Sequence, residues 1–294
     1  MSDVKLVSHI PHRSEAGPGA RAVLLTVLGE FVLPSGGSAW TTTLVASLAR
    51  LGVEEPTARQ ALARSSAAGL IVAEREGRRT RWTLTARAHR LLTEGAARIY
   101  GHGRDHPGWD GRWLLILTNV PERNRHLRSR LRARLTWYGL GPLGSGLWVT
   151  PWPDHERAVT GALRELGLTE GAMTWVGRPG SLGDLEARVG EIWNLAAVAS
   201  AYRAFIDRIT GETAVSPEES FSNLVRLVHE WRHFLAADPG LPSRLLPDGW
   251  PAAAAAELFA RRRAEWSSGA WRWWRTAEGG ASTTREPAQF DNGL

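Results

Sequence analysis

Residues 229–233 read His-Glu-Trp-Arg-His. On a helix, two histidines four positions apart share a face and can hold Zn²⁺ while the glutamate acts as general base on the metal-bound water, as in zincin peptidases. A catalytic zinc normally has three protein ligands. No histidine follows His233, and Glu257 is the nearest suitable downstream carboxylate. A zinc peptidase therefore stays an alternative, and a structural or ligand-facing His229 is the preferred reading. The other chemistries recede further. The chain has no cysteine, which excludes disulfides, thiolate metal sites and a cysteine nucleophile. No G-x-S-x-G elbow is present, and Gly139, Gly141, Gly144 and Gly146 lack the lysine and following helix of a phosphate-binding loop. Asp110, in Trp109-Asp110-Gly111, precedes the first strand of its region instead of ending it, so it reads as a turn or cap residue, not a nuclease carboxylate.

Residues suited to nucleic acid are more coherent. In a helix starting near Pro56, Ala58, Ala61, Leu62 and Ser65 fall on one face, and Thr57, Arg59, Gln60 and Arg64 project from the rest. Arginine can fork onto guanine O6 and N7, and glutamine onto adenine N6 and N7, so this helix suits major-groove readout. Arg75, Arg78, Arg79 and Arg81 gather at a hairpin tip, where phosphate contact is the natural role. A helix after Pro121 carries Arg123, Arg125, Arg128, Arg130, Arg132 and Arg134 around a Leu127, Leu131, Leu135 seam, and reads first as a solvated amphipathic helix. Fifteen tryptophans imply apolar anchors and pocket walls. Trp193, Tyr202, Arg226, His229 and Arg232 are the candidates for holding a small-molecule effector.

The elements that must position these residues follow from periodicity. Leu24, Val27, Leu28 and Phe31 share a helical face over residues 21–33. Residues 34–38 break that helix, a second runs from about Thr42 to Leu51, Gly52 ends it, and the Pro56 helix continues to about Ala68. Ile71–Glu76 and Arg79–Leu84 around Gly77-Arg78 form a hairpin, and a helix covers Ala86–Tyr100. Together these predict a winged helix-turn-helix over 21–100, after a flexible leader at 1–20. Residues 113–120, a helix over 121–137, the glycine-rich run into 147–151, a helix at 154–166 and a strand at 173–176 give β-α-β-β-α-β, a ferredoxin-like middle domain over 109–180. Strand signals vanish from Asp184, so an all-helical effector or dimerisation domain is expected over 184–275, with a disordered tail at 276–294. The fold class is thus α+β.

Net charge is +6, and 35 of the 36 basic residues are arginine, a compositional bias that overstates affinity for polyanions. Its distribution is more useful: the first two thirds are basic, and residues 184–294 carry 12 basic against 15 acidic side chains. No apolar run reaches a membrane-spanning length and no secretory h-region opens the chain, so a cytoplasmic protein is expected.

In order and spacing, LLTVLGEFV (24–32), LGVEEPTARQAL (51–62), GRRTRWTLT (77–85), RIY (98–100), WDG (109–111), GLWVTP (146–151) and DPGLPSRLLPDGWP (238–251) resemble the PaaX family of bacterial repressors, named for control of phenylacetate catabolism. The resemblance spans roughly residues 21–265. It implies a homodimeric repressor, not an enzyme, that needs no cofactor, binds a double-stranded DNA operator and is released by an acyl-CoA or aryl-CoA. Two departures stand out: Ser65 replaces a bulky aliphatic of the family, and WRWWR (271–275) has no counterpart. A dimeric interaction protein whose winged helix binds protein instead of DNA is the remaining alternative.

Overall fold

The computed structural model describes residues 19–103, 108–120 and 124–283. It is a mixed α/β protein with two antiparallel sheets, and the chain divides into two compact units, each discontinuous in sequence.

The first unit comprises residues 19–97, 213–229 and 261–283 of the described chain. Helix α1 (Ala20–Val27) runs on into a π-helical turn, Leu28–Val32, and buries Leu24, Val27, Leu28 and Phe31, the stripe read from the sequence. Strand β1 (Ser38–Trp40) follows, within a stretch expected to be loop. Helix α2 (Thr41–Ala49) buries Thr43, Leu44, Ser47 and Leu48. Gly52, at a φ of 81°, lets the chain reverse into α3 (Glu55–Ala67), which opens with Pro56 in its first turn. Strands β2 (Ile71–Glu76) and β3 (Arg79–Leu84) pair as the expected hairpin, and β1 joins β3 on its other side. The register puts Thr80, Trp82 and Leu84 opposite Arg75, Ala73 and Ile71 on one face. Helix α4 (Ala86–Gly101) then starts from Thr85, whose hydroxyl accepts the Ala88 amide at 3.1 Å and donates to the Gly69 carbonyl at 2.8 Å.

Two late stretches complete this unit: residues 217–229 of α9 (Pro217–Ala237) and 261–283 of α10 (Ala252–Thr283). The Phe31 ring lies 5.0 Å from Phe221, 5.2 Å from Trp271 and 5.3 Å from Trp274, and Trp273 packs 4.0 Å from Phe221. Buried aromatic pairs at these separations add to area burial. WRWWR is therefore an internal clasp on the π-helical turn after α1 and on Phe221 of α9. That clasp also accounts for residues 276–283, expected as tail, being helical; residues 1–18 and 284–294 lie outside the described part.

The second unit comprises residues 98–103, 108–120, 124–212 and 230–260. Its sheet is built from β4 (Trp113–Leu117), β5 (Gly141–Gly144), β6 (Leu147–Thr150) and β7 (Met173–Gly177), in the order β5-β6-β4-β7 with every pairing antiparallel. The glycine-rich run, read as a lead-in, supplies β5. Gly146, at a φ of 76°, lies against the Thr118 carbonyl with no room for a Cβ. Helices α5 (Arg125–Trp137) and α6 (Glu156–Glu165) cover one face, joining Leu131, Leu135, Val159 and Leu163 to Leu114, Ile116 and Trp148. Pro121, Glu122 and Arg123, expected in the first of these helices, lie outside the described residues. The other face buries Trp113 and Val149 against Val189 of the short α7 (Val189–Ile192), Leu195 of α8 (Leu195–Thr210), Leu241 and Leu245. The segment expected as one helical domain over 184–275 thus contributes residues 184–212 and 230–260 here, and 213–229 and 261–275 to the first unit.

Candidate nucleic-acid interface

The α3 face assignment is plain in the burial. Ala58, Ala61, Leu62 and Ser65 are buried, at most 4% exposed, while Thr57, Arg59, Gln60 and Arg64 are open to solvent. Helical periodicity alone sorts these residues, since i, i+3, i+4 and i+7 return to one side. Arg59 is engaged within its own helix. Its Nε lies 2.8 Å from Glu55 Oε1, with both side chains more than half exposed. A base contact by Arg59 must compete with that exposed pair, which contributes only tenths of a kcal/mol.

At the hairpin tip Gly77 takes a φ of 61°, and Arg75 and Arg78 are exposed on either side of it. Arg79 and Arg81 behave differently. Their guanidinium carbons lie 5.7 and 5.2 Å from the Trp40 ring centroid, and Arg81 Nε donates to Ser38 Oγ at 2.9 Å. The four arginines read as one cluster therefore divide into an open pair and a pair laid on β1. Trp40 was not singled out by the sequence, because β1 is three residues long and carries no alternation.

The five effector candidates do not gather in either unit. Arg226 and His229 belong to the first; Arg226 is exposed, and the His229 ring is buried with Nδ1 3.5 Å from Thr26 Oγ1. Trp193, Tyr202 and Arg232 belong to the second. Trp193 stacks 6.3 Å from Trp113 and donates its indole N–H to the Gly139 carbonyl at 3.2 Å. Burial lowers the affinity of the Arg232 guanidinium for its proton. Tyr202 is fully buried, donates its hydroxyl hydrogen to Asp238 Oδ2 at 2.7 Å and lies 2.8 Å from His102 Nε2. Burial and the Asp238 charge together push the Tyr202 hydroxyl well above the ordinary tyrosine range. His102 and Asp238, 136 positions apart, left no sequence signal of this network.

In the His-Glu-Trp-Arg-His string the groups a zincin needs are otherwise engaged. Glu230 forms an ion pair with Arg208, and His229 faces Thr26. Among the described residues no cluster of three His, Asp or Glu is placed to hold a metal ion. Asp110 behaves as a turn residue: it accepts the Arg112 amide at 2.9 Å and pairs with the Arg112 guanidinium, contacts that lower its carboxyl below the usual range. No helix among the described residues is long and apolar enough to cross a membrane.

Three family models match in series: the PaaX-like protein model over residues 19–88, the PaaX protein central Cas2-like domain over 106–189 and the PaaX-like protein C-terminal domain over 193–276. The Escherichia coli K12 transcriptional repressor PaaX is 30% identical over 266 residues, covering 86% of this chain and 83% of the relative. Among solved structures, the uncharacterized protein Rv0674 from Mycobacterium tuberculosis superposes with a TM-score of 0.56 at 23% identity, over 85% of this chain and 96% of that one, a likeness of fold alone.

Proposed function

The chain belongs to the PaaX family, and from that premise we propose that it is a homodimeric, cytoplasmic transcriptional repressor of a catabolic operon, released from its DNA operator by an acyl- or aryl-CoA. In this reading α1 to α3 and the β2–β3 hairpin are a winged helix-turn-helix, and the four-stranded sheet with α5 and α6 is a ferredoxin-like middle domain. The observation that carries it is the α3 face: Thr57, Arg59, Gln60 and Arg64 stand exposed opposite a buried seam, followed by a hairpin with Arg75 and Arg78 at its open tip. The PaaX relative is a transcriptional repressor by name, which supports a regulatory role and not a catalytic one. Arg59, Gln60, Arg64 and Thr57 are assigned to base and backbone contact in the major groove, and Arg75 and Arg78 to phosphate. Arg79 and Arg81, resting on Trp40, are assigned first to bracing the hairpin.

The test is footprinting on the DNA upstream of the protein's own gene. A symmetric dimer should protect two inverted half-sites about one helical turn, or a multiple of it, apart. Phenylacetyl-CoA or a related thioester should abolish that protection while free CoA does not. Absence of any protected site at moderate salt would sink the DNA reading, and indifference to every thioester would remove the effector alone.

A further inference from the structure

In the second unit, α5 and α6 are one-sided in charge. Their residues, 125–137 and 156–165, include seven arginines and two glutamates. Both glutamates are engaged: Glu165 pairs with Arg134 across the two helices at 2.9 Å, and Glu156 accepts the Thr174 hydroxyl. Because Arg134 reaches towards α6, the stripe of Arg125, Arg128 and Arg132 lies on the flank of α5 turned away from it, and all three are exposed. Arg157 and Arg164, seven positions apart, are exposed on α6. Among the described residues Arg125, Arg132, Arg157 and Arg164 form no ion pair. Other exposed helical arginines meet a carboxylate of their own helix, as Arg59 meets Glu55 and Arg208 meets Glu212. α5 has no acidic residue, and the two residues that precede Asn124, Glu122 and Arg123, cancel in charge. Like charges three and four positions apart, two of them at the positive end of the helix dipole, oppose the stability of the helix that carries them. The stripe is therefore not explained by the fold it belongs to.

We propose that the α5 stripe of Arg125, Arg128 and Arg132 is a second nucleic-acid surface, which holds the phosphate backbone of duplex DNA without reading its sequence. The proposal rests on the repressor reading for the choice of DNA as the polyanion, and adds to it a contact made by the second unit. Arg125 and Arg132 stand about 10 Å apart along the helix axis. Duplex DNA presents about one charge per 1.7 Å of its own axis, so the stripe meets several phosphates. Guanidinium groups fork onto phosphate oxygens with two N–H donors at a time. Other polyanions fit less well. A bilayer surface calls for apolar side chains beside the cations, and Leu131 and Leu135 of α5 are buried against the sheet. A single strand calls for open aromatic rings on which bases stack, and the α5 tryptophan, Trp137, is half-buried with the Arg98 guanidinium 3.8 Å from its ring centroid.

The measurement is fluorescence anisotropy of the full chain on a labelled non-operator duplex of about 30 base pairs, over about 50 to 200 mM salt. Arg125→Gln combined with Arg132→Gln should weaken binding at least fivefold and lower the log–log salt slope by about 2 for each bound chain, at roughly 0.9 per phosphate contact. Arg125→Lys with Arg132→Lys should recover most of the affinity. The glutamine pair should melt at the wild-type temperature or above it, because it removes like charges, so that lost binding is not lost folding. An equal loss of charge on elements covering the other sheet face, Arg188→Gln at the start of α7 with Arg203→Gln on α8, should change affinity less than twofold. A loss as large as that of the α5 pair would reduce the effect to net charge and overturn the site. Unchanged affinity and slope in the α5 pair would overturn it too, as would tighter Arg125-dependent binding of a single strand, or of phosphatidylglycerol vesicles, than of the duplex. If no operator is protected while the non-operator duplex still depends on Arg125 and Arg132, the α3 assignment fails and this surface stands. If an operator is protected and neither duplex responds to the α5 pair, this surface fails and the repressor reading stands.

Discussion

At the scale of the residue, Arg59 shows how a side chain proposed for base readout can be both available and occupied. Its partner Glu55 is one helical turn away, and the pair is exposed, so breaking it costs a few tenths of a kcal/mol. Glu55→Gln should therefore leave the melting temperature within about a degree and, in the proposed reading, raise affinity for all duplexes several-fold, since it removes a negative charge from the end of α3 assigned to DNA. Arg59→Ala should instead cost roughly 1 to 3 kcal/mol at particular operator positions and little on unrelated DNA. Competitive gel-shift titrations with single-base operator variants separate the two, and equal losses on every sequence would show that Arg59 reads no base. Tyr202 is the opposite case, wholly internal. Removing its hydroxyl in Tyr202→Phe leaves buried Asp238 short of a donor and should destabilise the protein by about 1 to 3 kcal/mol in denaturant unfolding. The sign of the pH effect follows from the raised folded-state affinity for the proton. The stabilisation is fully present below the ordinary tyrosine value near 10, and declines as pH rises beyond it towards the higher folded value. A wild type whose stability did not fall more steeply than that of Tyr202→Phe above pH 10 would contradict that assignment.

Elements were legible where a local period governs them and obscure where a distant partner does. The β2–β3 hairpin lies over the residues expected, because Thr80, Trp82 and Leu84 alternate and Gly77 supplies the turn. β1 and β5 were missed: three and four residues, with serine, glycine and proline among them, become strands only because β3 and β6 offer edges. The helical course of 276–283 was missed for a similar reason, since its anchors are Trp40, whose amide donates to Glu278, and Thr43, whose hydroxyl donates to the Ala277 carbonyl, both more than 200 positions away. Within α3, the serine that breaks the aliphatic pattern is fully buried, and its hydroxyl has no hydrogen-bond partner. Ser65→Ala removes that unsatisfied group with little loss of volume, so it should stabilise the protein by about 1 kcal/mol or leave it unchanged, with DNA affinity retained. Trp274→Ala should do the reverse. It strips a fully buried indole stacked on Phe31 and should cost roughly 3 to 5 kcal/mol, read as an earlier unfolding midpoint. A Trp274→Ala protein as stable as the wild type would mean that the clasp does not hold the π-helical turn after α1.

For the molecule as a whole, the sequence reading of successive domains captured which segments carry sheets but not that each unit recruits chain from far away. Residues 213–229 and 261–283 join the first unit through Phe221, Trp273 and Trp274, contacts that no window of local periodicity can reveal. Charge, by contrast, is a property of the whole chain that the sequence states outright, and it yields a prediction about assembly. The basic residues are arginine apart from Lys5, so their charge is constant across the neutral range. The salt dependence of operator binding should accordingly keep one slope from about pH 8 to 9.5, above the range in which histidines take up a proton. Each phosphate contact contributes roughly 0.9 to that log–log slope, and a contact made by every protomer is lost as many times as there are protomers. If Arg78 touches a phosphate in a two-fold dimer, Arg78→Ala should lower the slope by about 2; in a monomer it should lower it by about 1. Measuring the slope for wild type and variant, with the mass of the protein–DNA complex from sedimentation, gives two independent counts of the same number. A fall near 2 alongside a complex of two chains supports the dimer. A fall near 1 with a single bound chain would replace it with a monomer on DNA, and an unchanged slope would remove Arg78 from the interface.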